Sequence, residues 1–343
     1  MIDATPLRSS GHNECMPKHT EIWIDRGANP QLLDALRPGE PMHGVIEWRN
    51  FDVLHRDVQL RKRRQSSWSY VSLYVGLTAV LEIHACGDGL KFNAHGTHRD
   101  AGAFDDAWKR PMTTEAAQAE WPRISRYLDR ATLAVAPRHI TNEGLVHAAL
   151  CSGQSDQYRV INREVSPNFT DTAARKAIEG ELGDPIRRAA QTAERSLRGS
   201  SRGEAKAFGT GTDILAADNS NRLLVIEAKP SRSKEILSAP KQVIFYAGIL
   251  QRWIAQDPGA AVNALNQMLD QRVTLGLTSP GPQLQAQGLR IVPVVAIGPG
   301  LISADAERRM LDLSTALTNL SMPSVDPIEC WRLDALGGYS TLG

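Results

Sequence analysis

The chain has 343 residues, which is enough for one large domain or two smaller ones, and its 42% hydrophobic and 22% charged residues are typical of a globular protein. The net charge of +1 excludes a globally basic nucleic-acid footprint, so any such surface must be local. No apolar run is long enough to span a membrane, and none near residue 1 resembles a secretory signal. With four unclustered cysteines, these features predict a cytoplasmic protein that has no membrane partner.

The N-terminal part is predicted to contain a flexible arm and a β-rich domain. Residues 1–20 are polar and predict the arm. Alternating or β-branched apolar residues, separated by turn-forming Asn-Pro and Pro-Gly pairs, predict strands further on. These strands are Glu21–Ile24, Gly44–Arg49, Trp68–Tyr74 and Thr78–Ala85. We therefore expect a separate domain of unknown role over residues 21–135.

One segment of this domain is a candidate nucleic-acid contact. Its four consecutive basic residues are Arg61, Lys62, Arg63 and Arg64. Trp68 and Tyr70 follow closely. Basic side chains neutralise phosphates, and aromatic rings stack on bases. The alternative is a solvated charged loop before a strand whose aromatic residues belong to the core.

A helical linker is predicted to follow. The pattern from Thr113 to Ala136 is helical, with an interruption expected at Trp121-Pro122. A second, short apolar helix is predicted up to Cys151. Glu143 lies in its first turn, where the helix dipole favours an acid, and His147 lies one turn later on the same face.

The next segment predicts a strand and then a basic helix. Tyr158–Val165 is rich in apolar residues and is ended by Ser166-Pro167, so we expect the first core strand there. The helical stretch that follows, from Asp171, becomes basic towards its end, where Arg195 and Arg198 lie. Such a helix beside a flexible segment can bind a phosphate backbone. Its interspersed acids equally fit an ordinary surface helix.

The most informative pattern is a predicted β-hairpin. Two apolar runs flank the turn-forming segment Asp218–Asn221. If the turn centres on Ser220, Asp213 faces Glu227 across the hairpin. Because side chains alternate along a strand, Glu227 and Lys229 share one face of the sheet. The pattern therefore predicts two carboxylates and one ammonium group at the end of an otherwise apolar hairpin.

This charged trio has a chemical interpretation. Two carboxylates at the edge of a dry core repel each other unless a cation joins them. Mg²⁺ prefers carboxylate oxygens and leaves room for a substrate phosphate. Lys229 can orient or activate a water molecule, or stabilise charge on a phosphate oxygen. The sequence thus predicts a phosphodiester-hydrolysing site, and the alternative is a solvated strand end with a cross-strand ion pair.

The remainder of the chain alternates helices and strands. The sequence after Pro240 predicts a helix that places Gln242 and Tyr246, four residues apart, on one face. A second helix, a buried strand over Leu289–Ile297, a third helix and a strand over Ile328–Leu333 follow. Helical connections between strands predict an α/β fold with a mixed sheet.

The spacing of the charged residues resembles that of a known superfamily. Asp213, thirteen intervening residues and then Glu227-Ala228-Lys229 resemble the core of the PD-(D/E)xK nucleases, which have the restriction-endonuclease-like fold. The helix with Gln242 and Tyr246 resembles the QxxxY element of the RecB/Cas4-type branch. The resemblance covers residues 136–343, the expected nuclease domain, and none of the N-terminal domain.

Two features depart from that branch. It often has glycine three residues before the aspartate, whereas here Gly209 and Gly211 lie four and two residues before it. Cas4-type proteins often carry a cysteine cluster, whereas the four cysteines here are scattered, so no iron–sulfur cluster is expected.

The resemblance implies a Mg²⁺-dependent deoxyribonuclease, with Mn²⁺ as a substitute ion. Its core would be a restriction-endonuclease-like mixed β-sheet flanked by helices. Asp213 and Glu227 would bind the metal, and Lys229 would position or activate the attacking water. Glu143 lies where the first core helix of the family often contributes a glutamate, so it would assist the metal or the water.

The resemblance also suggests supporting roles and partners. Gln242 and Tyr246 would brace the site or contact the nucleic-acid backbone. DNA is the expected partner, in restriction, defence or repair, and assembly as a homodimer is left open. The alternative function is a catalytically inactive nucleic-acid-binding module on the same fold, which would bind without metal-dependent cleavage.

Overall fold

A computed structural model describes most of the chain. The described residues are 21–24, 27–48, 56–62, 69–87, 89–139, 142–151, 155–196, 208–209, 211–320, 322–334 and 337–342. The predicted arm over residues 1–20 and the predicted contact residues Arg63, Arg64 and Arg198 lie outside these ranges. Within the described ranges, no helix combines the length and the apolar character needed to cross a bilayer.

The described part of the chain is a mixed α/β structure. Its helices are α1 (Pro30–Leu36), α2 (Gly44–Glu47), α3 (Gly96–Gly102), α4 (Thr114–His139), α5 (Asn142–Cys151), α6 (Thr172–Ser196), α7 (Ala239–Gln256), α8 (Pro258–Thr274) and α9 (Ala304–Thr318). Its strands are β1 (Ile22–Trp23), β2 (Arg56–Lys62), β3 (Ser69–Val75), β4 (Thr78–Cys86), β5 (Gly89–Asn93), β6 (Tyr158–Val165), β7 (Asn168–Phe169), β8 (Thr212–Asp218), β9 (Arg222–Lys229), β10 (Arg290–Ile297), β11 (Glu329–Leu333) and β12 (Tyr339–Thr341).

Six strands form the larger sheet, in the order β12-β11-β10-β9-β8-β6. The strands β9, β10 and β11 are parallel, whereas the pairs β6–β8, β8–β9 and β11–β12 are antiparallel. Helices α7 and α8 connect β9 to β10, and α9 connects β10 to β11, as parallel crossovers require. Both sheet faces are covered, because α7, α8 and α9 pack on one face and α5 packs on the other. The predicted mixed sheet with helical crossovers is therefore confirmed.

The hairpin of β8 and β9 has the predicted register. Ile214 pairs with Ile226, and Ala217 pairs with Leu223, so the turn centres on Ser220. Alternate residues of both strands enter the apolar cores on opposite faces of the sheet. Burial on both faces fixes the register, because a slip of one residue would exchange the two sets of side chains.

The second sheet is antiparallel and consists of four strands, in the order β2-β3-β4-β5. It packs against helices α1 and α4 in a separate apolar core, which Leu275 and Leu277 from the end of α8 also join. Helix α4 runs continuously through Trp121-Pro122, so the predicted interruption is wrong. Its buried stripe includes Ala117, Ile124 and Leu128, and this packing outweighs the hydrogen bond that a proline cannot donate.

Of the predicted N-terminal strands, Gly44–Arg49 is wrong in type, whereas the strand predicted over Glu21–Ile24 is confirmed at Ile22–Trp23 but lies outside the four-stranded sheet. Residues 44–47 form the short helix α2, in which the Val45 and Ile46 N–H groups donate to the Met42 and His43 carbonyl oxygens. The side chains of Val45 and Ile46 are buried in the second core. Strand β1 pairs with β7, and its Ile22 packs in the core of the six-stranded sheet. Apolar alternation indicated burial here but did not identify the partner.

Buried polar contacts join the two sheets. Arg163 in β6 lies 3.4 Å from Asp57 in β2 and donates a hydrogen bond to the Gly76 carbonyl oxygen at 2.8 Å. Arg272 in α8 donates to the Gln59 side-chain oxygen at 3.3 Å. Because these charged side chains are almost completely buried, they restrict how the four-stranded sheet sits on the six-stranded one.

Candidate active site

Three elements bring the predicted catalytic residues together. Asp213 lies near the start of β8, and Glu227 and Lys229 lie at the neighbouring end of β9. Helix α5 packs on the same end of the hairpin and carries Glu143 and His147. We call these five residues the site cluster. They meet at one end of the central strands of the six-stranded sheet, although two strands and a long helix lie between α5 and β8 in the chain.

The first turn of α5 is held close to the second sheet. Gly144 approaches the turn between β3 and β4 so closely that a Cβ atom would lie 2.9 Å from the Gly76 Cα. A residue with a side chain would push the helix away from this turn. The absence of a side chain at Gly144 therefore helps to set the position of Glu143, its neighbour in the chain.

Lys229 connects the carboxylates of the site cluster. Its Nζ lies 2.7 Å from a Glu227 carboxylate oxygen and 3.3 Å from a Glu143 carboxylate oxygen. The Ala228 N–H donates to Asp213 Oδ2 at 2.8 Å, which holds the aspartate across the hairpin. The structure thus brings Asp213, Glu227, Lys229 and Glu143 together, as the sequence predicts.

His147 adds a buried imidazole to this group. Its Nε2 lies 3.6 Å from Asp213 Oδ2, which is longer than a hydrogen bond. Neither of its ring nitrogens has a hydrogen-bond partner among the described residues, although the side chain is only 3% exposed. A buried polar atom without a partner is costly, so this ring is suited to bind a cation or a water molecule. The sequence placed His147 on the correct helix face but could not show that it lacks a partner.

The site cluster has a donor set that fits a divalent cation. Glu143, His147 and Asp213 each offer one ligand atom, and these atoms lie within 4.8 Å of one another. Glu227 does not belong to this group of three and reaches it through Lys229. The two carboxylates suit Mg²⁺ or Mn²⁺, and the imidazole shifts the preference towards the transition metal.

Burial and mutual repulsion determine the charge states of the cluster. Burial, together with the neighbouring Asp213 carboxylate, raises the pKa of Glu227 to about 8. Burial also opposes ionisation of Asp213, but His147, Lys229 and the Ala228 N–H outweigh it and lower the pKa of Asp213. For Lys229, burial is outweighed by the carboxylates, led by Glu227, so its pKa lies above the ordinary value. Without a bound cation, the cluster therefore keeps a protonated lysine and favours an additional proton on Glu227.

The QxxxY pair lies behind the site. Gln242 is half-buried, and its side-chain oxygen accepts a hydrogen bond from Ser238 Oγ at 3.3 Å. Tyr246 is buried and donates to the Phe208 carbonyl oxygen. Gly209, at φ 80°, lies so close that a Cβ atom there would be 2.7 Å from the Tyr246 hydroxyl. The predicted nucleic-acid contact by Tyr246 is not compatible with this burial, and its phenol instead braces the chain just before β8.

Arg61, the first residue of the predicted basic segment, is not part of an exposed basic patch. Arg61 is buried in β2 and donates to the Arg163 carbonyl oxygen at 2.5 Å, to Glu164 at 2.7 Å and to the Tyr74 hydroxyl at 2.9 Å. It therefore cannot act as a solvated phosphate contact, because its guanidinium group is engaged within the protein. Lys62 ends β2, and Arg195 is exposed near the end of α6.

A pocket adjoins the site cluster. Its volume is about 430 Å³, and Asp213 forms part of its wall. The opposite wall comes from the second sheet and the end of β6, through Arg61, Tyr70, Tyr74 and Glu164. Of these residues, Tyr74 and Glu164 carry no motif that sequence analysis could detect, because only the packing of one sheet on the other brings them to the site.

Comparison with known proteins does not identify the chain. No protein-family model matches it, and neither a curated protein nor a solved structure is similar to it.

Proposed function

We propose that the chain is a metal-dependent nuclease of the PD-(D/E)xK type, with a restriction-endonuclease-like core, which hydrolyses phosphodiester bonds in DNA. The observation that carries this proposal is the meeting of Glu143, His147 and Asp213 within 4.8 Å, beside a lysine that is paired with Glu227. The hairpin register supports it, because two carboxylates and a lysine are retained at the end of two otherwise apolar strands.

The residues of the cluster would have distinct roles. Glu143, His147 and Asp213 would hold the cation, which when bound would supply Lewis-acid stabilisation of phosphate charge. Since the carboxylates keep Lys229 protonated, its ammonium group would orient the attacking water and donate to a phosphate oxygen. Glu227 would hold Lys229 in place. Glu143, with a third of its side chain exposed, can also reach the water and accept its proton.

The reaction would be a single displacement at phosphorus. The water oxygen forms a new bond to phosphorus while the bond to the leaving sugar oxygen breaks. One proton leaves the water, and the sugar oxygen gains one from solvent. Positively charged groups near the phosphate stabilise this transition state because negative charge develops on its oxygens.

A cleavage assay tests the proposal. Plasmid, linear duplex and single-stranded DNA, with RNA as a comparison, would be incubated with Mg²⁺, Mn²⁺ or EDTA. We expect cleavage that needs the cation and that falls by about 10²–10³-fold in Lys229→Ala and in Asp213→Ala. Arg308→Ala is the matched control, because Arg308 is exposed on α9 and pairs with Asp305 at 2.7 Å.

Two outcomes would contradict the proposal. Cleavage that survives in both site variants would place the chemistry elsewhere. Metal-independent DNA binding without cleavage by any form would favour the non-catalytic binding module instead.

A further inference from the structure

We propose that the pocket beside Asp213 receives one unstacked base of the DNA strand that is cut, so that the four-stranded sheet selects single-stranded or locally unpaired DNA. This inference rests on the proposed function and adds a substrate class to it. It begins from one residue, Asp213, which lies both in the pocket wall and in the proposed cation site. A nucleotide whose phosphate reaches the site cluster therefore has this pocket beside it.

The size and openness of the pocket suit a single nucleotide. A volume of about 430 Å³ lies at the lower end of small-molecule sites, which span roughly 300–1,000 Å³. A base that remains paired and stacked in a duplex cannot enter a pocket of this kind, because its neighbours occupy both faces. A strand with free bases can place one base there without a cost for unpairing.

The second sheet supplies aromatic rings to the pocket wall. Tyr70 is stacked on His84, with ring centroids 4.9 Å apart and planes 19° apart. Tyr74 is held by a hydrogen bond from Arg61, whose guanidinium carbon also lies 5.4 Å from the Tyr74 ring centre. A ring that is already fixed in place, as Tyr70 is, binds a base with little loss of side-chain freedom. The Tyr74 ring lies against the guanidinium groups of Arg61 and Arg163. It therefore closes the wall of the pocket and leaves stacking to Tyr70. Arg61 is thus a positioning residue for Tyr74.

Glu164 provides a hydrogen-bond acceptor in the same wall. It lies inside β6 yet has φ of 50°, a left-handed conformation that a non-glycine residue in a strand rarely adopts. Its carboxylate accepts from Arg61 at 2.7 Å, and 41% of its side chain remains exposed. Strained backbone often occurs at functional sites, and here it belongs to a residue whose side chain lines the pocket.

The carboxylate predicts which base is preferred. An ionised carboxylate only accepts hydrogen bonds, so it favours a base edge with adjacent N–H donors. Guanine presents two such donors side by side. Thymine presents one donor between two carbonyl oxygens, which a carboxylate repels. We therefore expect guanine to bind better than thymine.

Binding measurements test the inference separately from cleavage. Fluorescence anisotropy in EDTA would use a 5′-labelled 12-nucleotide dT strand, the same strand with one central dG, and the duplex form of the latter. We expect the dG strand to bind most tightly. Tyr70→Ala should weaken single-strand binding about tenfold and raise KM more than it lowers kcat, whereas Tyr70→Phe should restore both. Glu164→Gln should reduce the preference for dG.

The outcomes separate this inference from the proposed function. If metal-dependent cleavage needs Asp213 and Lys229 but Tyr70→Ala binds and cuts each substrate as the wild type does, the pocket assignment is overturned and the nuclease stands. If binding depends on Tyr70 but no form cleaves DNA, the pocket is supported and the catalytic proposal fails. Equal affinity for the duplex and the single strand would also overturn the pocket assignment. Thermal unfolding of each variant would verify that it is folded.

Discussion

Two clusters of buried charged side chains differ in the sign of their excess charge. The site cluster combines three carboxylates with one ammonium group and a buried imidazole. The second group, which we call the interface cluster, contains two guanidinium groups, one carboxylate and one amide. Its members are Asp57, Gln59, Arg163 and Arg272. An excess of negative charge at one end of the central strands thus contrasts with an excess of positive charge between the sheets.

The two clusters also differ in access to solvent. Each member of the interface cluster is at most 1% exposed, and each contacts another member. In the site cluster, by contrast, Glu143 and Asp213 are partly exposed, and Asp213 also borders the pocket. A closed cluster of mixed charge can hold two sheets together, whereas an open, acid-rich cluster needs a cation to balance its negative charge.

The largest expected effect is on stability and comes from the interface cluster. Arg163→Met should lower the free energy of unfolding by about 3–5 kcal/mol, because the buried Asp57 carboxylate would lose the guanidinium group that lies 3.4 Å away and keep only the Arg272 charge within the cluster. The bond from Arg163 to the Gly76 carbonyl would be lost as well. Urea unfolding at pH 7, followed by circular dichroism, measures the change.

A control and a second variant sharpen this test. Arg308→Ala removes an exposed ion pair and should change stability by less than about 1 kcal/mol. Asp57→Asn should also lower the stability, because Arg163 and Arg272 would then stay buried without the only carboxylate of the cluster. A loss below about 1 kcal/mol in Arg163→Met would show that the interface charges do not tie the sheets together.

A second prediction is that a divalent cation bound at the site cluster raises the free energy of unfolding. Mn²⁺ at about 100 times its Kd should raise the free energy of unfolding by about 2.7 kcal/mol, because it binds the folded state alone. Mg²⁺ at the same concentration should have a smaller effect, since one ligand is an imidazole. Urea unfolding with and without each ion measures the difference.

Variants of the cluster provide the comparison for this prediction. Asp213→Asn should abolish the stabilisation by Mn²⁺, and it should slightly lower the stability of the metal-free protein at pH 7, because His147, Lys229 and the Ala228 N–H favour the ionised Asp213 carboxylate. His147→Leu should reduce the preference for Mn²⁺ over Mg²⁺. Equal stabilisation of the wild type and Asp213→Asn by Mn²⁺ would mean that the ion binds elsewhere.

The parts of the fold that the sequence predicted are those with local signals. The hairpin of β8 and β9 follows from two apolar runs and an Asx-rich turn, and its register follows from the centre of that turn. The helices α5, α6, α7 and α9 likewise lie where caps, prolines and apolar spacing predict them. Since Asp213, Glu227 and Lys229 lie in one hairpin, their grouping was predictable too.

The errors concern residues whose environment is set by distant parts of the chain. Arg61 looks like a solvated basic residue in sequence, but its partners are Tyr74, Arg163 and Glu164, and the last two lie about a hundred residues away. The segment Gly44–Arg49 has the composition of a strand, yet residues 44–47 form a helix whose Val45 and Ile46 pack in the core of the second sheet. Long-range packing, rather than local preference, decided each case.

The smallest expected effect on stability concerns Tyr246, and it distinguishes a structural role of this residue from a DNA-binding role. Tyr246→Phe removes the hydrogen bond to the Phe208 carbonyl and should lower the free energy of unfolding by about 1 kcal/mol. DNA affinity should not change, because the buried phenol cannot reach a phosphate. Urea unfolding and anisotropy on the same preparation measure both quantities. A tenfold loss of DNA affinity at unchanged stability would instead show that Tyr246 contacts DNA. The chain before β8 would then have to open when DNA binds.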